Sequence, residues 1–540
     1  MTGPAPIVEL LLIAVAVAVA TKYVRLPYTV ALVLVGVTLG ALVRVESLQL
    51  SRELILFIFL PPLLFEGCLN MDLSLLVRNW RRVFLLAVPG TLASALLIGF
   101  GAYHLFSWLG APLPIELALL LGVMLSPTDP ISVLAIFKEQ GVTRELSILV
   151  EGESVFNDGI GVVLFLLALE VAGGHSVTLA DATVEFVREV AGGALVGFSL
   201  GYLIYRLLGQ IDDHLVEVVI SLVLAYGVYL VAERLHMSGV IAVVVSGLII
   251  GNYGRMFSMS PTTRISLAHF WDVASFIINS LLFLLMGLEL DLGRARGFGL
   301  AIFGAFALMI VARTIVAHGS LWLDRLLGGA RLPRGWSTVV NWGGIRGSIP
   351  IALALGLPAA GLLTPGLRAQ LIAVVFGAVF LSVVVQGLTM KPLLGRLGLL
   401  GLGEEERLYE EALGRVVAAR AAVRSLESAY REGGLPEERY ERMKARLEAE
   451  RARAASEASR TAREYSLIRR RQLARSSERL VRAERTALDQ AYRRGLLSAT
   501  VADRLKRELD ARLVEGSERG WERVWEFDRA EGEEDGETVD

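Results

Sequence analysis

One cysteine, Cys68, stands in 540 residues. It excludes an intramolecular disulfide and a multi-cysteine metal site. A formal net charge of -2 gives no reason to expect nucleic acid as a partner. The charged C-terminal stretch shows no nucleotide-binding fingerprint and no zinc-ligand cluster, no cofactor is called for, and the chain is not expected to be an enzyme. His104, His175, His214 and His236 fall in expected loops or near span ends and carry no assignment. No basic region precedes the first apolar run and no clear cleavage site follows it, so residues 7–20 are expected to be a retained span.

The scarcest feature is charge in the first 400 residues. They hold 24 of the 53 Lys/Arg and 24 of the 55 Asp/Glu, or 12% charged, against 43% in the remainder. Mean hydropathy over the chain is +0.56. The break predicts an all-α polytopic membrane domain over 1–398 and a charged, helical cytoplasmic tail over 399–540. Apolar segments near 7–21, 28–43, 53–69, 83–103, 115–137, 146–170, 182–205, 215–232, 238–251, 265–289, 298–322, 338–356 and 369–390 give about thirteen spans. With that count the loops on one side carry fifteen Lys/Arg, among them Lys22, Arg82, Lys138 and Arg264, and those on the other carry six. The positive-inside rule then puts the N-terminus outside and the tail in the cytoplasm.

Two spans are interrupted. One carries Ser126-Pro127-Thr128-Asp129-Pro130, the other Asn341-Trp342-Gly343-Gly344-Ile345-Arg346-Gly347-Ser348-Ile349-Pro350. Proline removes a backbone donor and glycine weakens a helix, so backbone oxygens are freed at membrane depth. Broken helices in corresponding places point to two inverted repeats, spans 1–6 and 8–13, with a midplane site between them.

Intramembrane acids are functional candidates by default. Asp129 lies in the first break, and Asp158 closes Glu153-Ser154-Val155-Phe156-Asn157-Asp158 on the next span. Desolvation disfavours a charged carboxylate, so one buried acid can hold either a proton or a cation, and that competition is already an exchange mechanism. Ser154 and Asp158 are four apart and share a helix face; Thr128 could add a hydroxyl or a freed carbonyl. Glu66, in Pro61-Pro62-Leu63-Leu64-Phe65-Glu66-Gly67, is placed with the site. Glu153 reads as structural and needs a cationic partner, for which Arg313 and Arg346 are both available. Arg346 could instead offset the helix ends of its broken span. Asp272 and Asn279 read as packing residues. The pattern points to movement of a cation across a membrane.

Thr-Asp-Pro, Glu-Ser-x-x-Asn-Asp and Gly-Gly-x-Arg-Gly, in this order between residues 7 and 395, resemble the monovalent cation/proton antiporter-1 family, the NhaP-like and NHE-type Na+/H+ exchangers. The tail from Tyr492 to Asp510 also resembles bacterial members. The resemblance implies a thirteen-span inverted-repeat fold, a homodimer in the cell membrane, and alternating access by movement of a core domain. It makes Asp158 the essential ion- and proton-binding acid, with Asp129, Thr128, Ser154 and Glu66 around the cation. It pairs Glu153 with Arg313. Asn157, where electrogenic relatives have a second Asp, implies one-for-one electroneutral exchange. An acidic residue is also expected at 272, though more often Glu.

The expected activity is Na+/H+ exchange, serving pH and sodium homeostasis, with Li+ as a further candidate ion. K+/H+ exchange is the alternative within the class, and a cation channel or a transport-dead sensor lies outside it. The tail starts amphipathic, with Leu408, Ala412, Val416, Ala419, Val423 and Leu426 at helical spacing, and breaks at Gly433, Gly434 and Pro436. Its acidic end from Glu531 is expected to be disordered, and its regulator is not legible.

Overall fold

The computed structural model describes residues 5–24, 26–42, 51–174, 178–211, 213–290, 297–330, 332–358, 363–431 and 435–464, and parts of 477–509. The acidic end from Glu531 and residues 492–495 lie outside the described residues. The chain forms two compact units, 1–400 and 401–540. Every regular element among the described residues is helical.

The first unit runs α1 (Ala5–Val24), α2 (Tyr28–Leu42), α3 (Leu60–Asn70), α4 (Leu73–Arg78), α5 (Trp80–Ala87), α6 (Pro89–Trp108), α7 (Ile115–Leu125), α8 (Ile131–Gln140) and α9 (Arg144–Ala172). It continues with α10 (Leu179–Leu208), α11 (His214–Arg234), α12 (Gly239–Ile249), α13 (Pro261–Leu288), α14 (Gly299–Leu326), α15 (Trp336–Trp342), α16 (Ser348–Leu355), α17 (Pro365–Leu381) and α18 (Gly387–Arg396). Stretches of π-helix, Leu54–Phe59, Ile250–Ser258 and Ser382–Gln386, adjoin α3, α12 and α18. Helix starts follow the local chemistry. Asp213 caps α11 by accepting from the amides of Leu215 and Val216, and Thr364 accepts from Leu367 ahead of α17.

Among the described residues seven helices are long and apolar enough to cross a membrane, and four apolar helices are shorter. The count of thirteen expected from sequence includes broken and short segments that this criterion leaves out. Two of those segments are interrupted helices. Residues 126–130 separate α7 from α8, and residues 343–347 separate α15 from α16.

Packing sorts the helices into two groups. In one, α5, α6, α7, α9, α14 and α17 pack on one another; in the other, α2, α3, α10, α11, α12 and α13 do. The α2–α13 crossing brings two backbones together. A Cβ at Gly36 would lie 2.9 Å from the Cα of Gly287, so neither position has room for a side chain.

In the second unit, Leu402–Arg431 and Glu437–Glu464 form a helical hairpin. Ala412, Val416, Val423 and Leu426 are buried within it, while Leu408 is exposed. Tyr430 and Tyr440 stack across the turn with ring centroids 4.1 Å apart.

Candidate cation site

The two helix breaks meet. The amide of Asp129 donates to the carbonyl of Ile345 at 2.7 Å. A Cβ on Gly347 would come within 2.6 Å of the Asp129 carboxylate carbon, so this approach requires glycine. Asp129 sits at the N-terminal end of α8, where its Oδ1 accepts from the Ile131 amide at 3.2 Å. The positive end of that helix favours the carboxylate. Its Oδ2 is buried and has no hydrogen-bond partner among the described residues.

Asp158 projects from α9 into the same cavity of about 230 Å³. Asp129 and Asp158 are only 7% and 6% exposed, so any charge they carry is held away from bulk water. The other polar residues of the wall are Glu66, Asn70, Lys138, Glu151, Asn279 and Ser348. Asn279, read from sequence as a packing residue, therefore faces the cavity. Glu66 and Asn279 come from the group of α3 and α13, Asp158 from α9 of the other group and Asp129 from the break that follows α7, and the cavity lies at the seam. Glu66 is positioned by Asn70, whose side-chain amide donates to its Oε1 at 2.7 Å, while Arg255 donates to Asn70 Oδ1 at 3.0 Å. Asp272, by contrast, is exposed.

Thr128, Ser154 and Asn157 come together next in sequence to the aspartates. Asn157 Oδ1 accepts from the Thr128 amide at 3.2 Å, its Nδ2 donates to Thr128 Oγ1 at 2.7 Å, and that hydroxyl lies 3.0 Å from Ser154 Oγ. A backbone amide can only donate, which fixes the orientation of the Asn157 amide. This arrangement clamps the first break to α9. Thr128 and Ser154 are buried and are not among the residues lining the cavity.

Glu153 and Arg313 form a two-pronged ion pair, Nη1 on Oε1 and Nη2 on Oε2 at 2.8 Å, and Nη2 also donates to the Val340 carbonyl at 2.7 Å. Both residues are buried, and the fork geometry suits a carboxylate deep in the protein. Arg346 makes a different set of bonds. Its amide donates to Ser382 Oγ at 2.9 Å, its Nε to the Leu125 carbonyl at 2.8 Å and its Nη1 to the Gly344 carbonyl at 2.7 Å. Leu125 ends α7, so the guanidinium offsets the negative end of the other broken helix.

Asn70, Glu151 and Ser348 line the cavity without being singled out by sequence, and Lys138 reads from sequence only as a loop charge. Glu151 was the one within reach, because it stands seven residues before Asp158 on the same helix face.

Among the described residues no three His, Cys, Asp or Glu side chains cluster as metal ligands. Two carboxylates with neutral oxygens nearby suit a monovalent cation, whereas tightly held divalent ions take more charged ligands.

Comparison with known proteins places these features. The family model described as sodium/hydrogen exchanger, transmembrane, matches residues 10–396. The chain is 40% identical to the Na(+)/H(+) antiporter ApNhaP of Aphanothece halophytica over 396 residues, 72% of this chain and 73% of that protein. It is 38% identical to the Na(+)/H(+) antiporter NhaG of Bacillus atrophaeus over 435 residues, 77% and 79% of the two chains. Its fold is similar to that of the sodium proton antiporter MjNhaP1 from Methanocaldococcus jannaschii, with a TM-score of 0.60, 23% identity, and coverage of 72% of this chain and 97% of that one.

Proposed function

The chain belongs to the sodium/hydrogen exchanger family, and from that premise we propose that its two buried aspartates carry an electroneutral exchange of Na+ for H+. It is a multi-pass membrane antiporter of Na+ and H+, and its relatives named above are sodium antiporters. None of them supports the K+/H+ alternative.

One observation carries the assignment of the site. Asp129 and Asp158, from two separate helices, are buried and line one cavity where two helix breaks touch. Asp158 has no hydrogen-bond partner among the described residues and is the acid that gives up a proton when Na+ arrives. Asp129, fixed at the end of α8, supplies a second oxygen to the cation. Thr128, Ser154 and Asn157 hold the break in register against α9 and so keep Asp129 in place; the two hydroxyls support the site from outside the cavity. Glu66 faces the aspartates across the seam. The Glu153–Arg313 pair and Arg346 offset the charge of the surrounding backbone and side chains.

Na+ and H+ thus compete for one acid, and alternating exposure of the cavity makes that competition an exchange. Two inverted repeats of a thirteen-span homodimer in the cell membrane fit this scheme, with the N-terminus outside and residues 399–540 a cytoplasmic regulatory tail. The cavity rim carries Lys138, on the positive, cytoplasmic side. The decisive measurement is a panel of Na+, Li+ and K+ gradients across pH in proteoliposomes. Proton movement driven by Na+ and not by K+ supports the reading, and channel-like depolarisation or no flux refutes it.

A further inference from the structure

The cavity is graded in burial. Lys138 at its rim is exposed, Glu66 and Glu151 in its wall are partly buried, and Asp129 and Asp158 at its end are buried. Glu151, Val155 and Asp158 all line it from α9. Their spacing of four and three residues places them on one helix face. Seven residues at 1.5 Å each put Glu151 about 10 Å from Asp158 along the helix axis. Glu151 also approaches α3, where a Cβ on Gly67, next to Glu66, would lie 3.9 Å from its Oε1.

A carboxylate in a partly buried wall must be compensated. Glu151 makes no ion pair among the described residues, although Arg144 starts the same helix. An independent observation points to a polar ligand in this cavity: Asp129, which lines it, has a buried Oδ2 with no hydrogen-bond partner among the described residues.

We propose that Glu151 is a second cation-handling carboxylate, which holds an incoming monovalent cation in the cavity before it passes to Asp158. The inference rests on the antiport reading above. Glu151 rides on the same helix as Asp158, so the two keep their spacing in any movement of α9. Its negative charge concentrates cations on the approach to Asp158, and Glu66 opposite adds to the same field. The cation keeps part of its hydration at this station and gives it up only between the aspartates.

The test uses the full-length protein in proteoliposomes, with uptake of radioactive Na+ driven by a pH gradient over a range of Na+ concentrations. E151Q should raise the KM for Na+ roughly five- to ten-fold, the effect expected of one charge at about 10 Å in a partly hydrated site, and by more than it changes the maximal rate. E151D, which keeps the charge, should restore KM to within about two-fold. The gap between wild type and E151Q should narrow when choline chloride raises the ionic strength, because screening weakens a charge effect and leaves packing untouched. An unmoved KM in E151Q, or a fall only in folded yield and maximal rate, would overturn the inference while the antiport reading stands. Wild-type vesicles that exchange no Na+ would overturn both.

Discussion

Asp129 and Ile345 are joined by a 2.7 Å hydrogen bond between their backbones, although 216 positions separate them in the chain. The bond ties the break between α7 and α8 to the break between α15 and α16. The candidate site is thereby a property of both breaks, and a disturbance in one is transmitted to the other.

Asp158→Asn should abolish Na+-driven proton flux while leaving folded, membrane-inserted protein. The side chain faces the cavity, so an amide of the same shape fits but cannot exchange a proton for a cation. Near-normal flux in vesicles of matched protein content would remove Asp158 as the carrier.

Gly347→Ala should cut exchange severely. The added methyl falls on the Asp129 side chain, and either that carboxylate or the Ile345–Asp129 contact must give way. A destabilisation of about 1–3 kcal/mol is expected from overpacking, read as a lower thermal midpoint in detergent. Wild-type exchange with an unchanged midpoint would mean that the two breaks lie further apart than described.

Glu153→Gln or Arg313→Met alone should each cost about 3–5 kcal/mol, because each leaves a buried charge without its partner. The double variant should regain part of the loss. The check is a double-mutant cycle on thermal unfolding, with Arg346→Met as the comparison arm, expected to show no comparable coupling to Glu153.

Exchange should not respond to voltage. With Asp158 carrying either one proton or one Na+, and Asp129 keeping one protonation state, the loaded carrier has the same net charge in both half-cycles. A full charge moved through 100 mV would be worth about 2.3 kcal/mol, so a departure is easily seen. The measurement clamps the potential with K+ and valinomycin after K+ is shown not to be transported. A voltage-dependent equilibrium point would bring in Asp129 as a second titrating acid.

Removal of the chain beyond Arg396 should leave a competent exchanger whose pH response is altered. Every candidate site residue precedes position 350, and residues 401–540 form a compact unit of their own. A folded truncation unable to exchange at any pH would make the tail part of the transport cycle.

The features legible in sequence were those written in short stretches. The prolines around Thr128 and Asp129 announce a helix break, and the spacing of Ser154 and Asp158 announces a shared face, since both depend only on neighbouring residues. Contacts between distant segments were open. On the residues alone Arg313 and Arg346 are both eligible for Glu153, and only the family resemblance favours Arg313; the distances bear that pairing out, with Gly344 leaving the space that the Arg313 guanidinium occupies. Asn157 could be read as an amide where a second acid would sit, but its clamp on Thr128 exists only once the break folds against α9. The Asn70–Arg255 support of Glu66 spans 185 positions, and no local periodicity encodes it.

Arg346 is 1% exposed and directs its bonds to the carbonyls of Leu125 and Gly344. A lysine would bring the same charge to the same depth, but as a single point at the end of a flexible stem. It could not present rigidly spaced donors to two oxygens on different strands of the chain. What position 346 tolerates is therefore set by the shape of the cation and not by its sign, and a conservative exchange of one base for another would be among the least conservative changes in this protein.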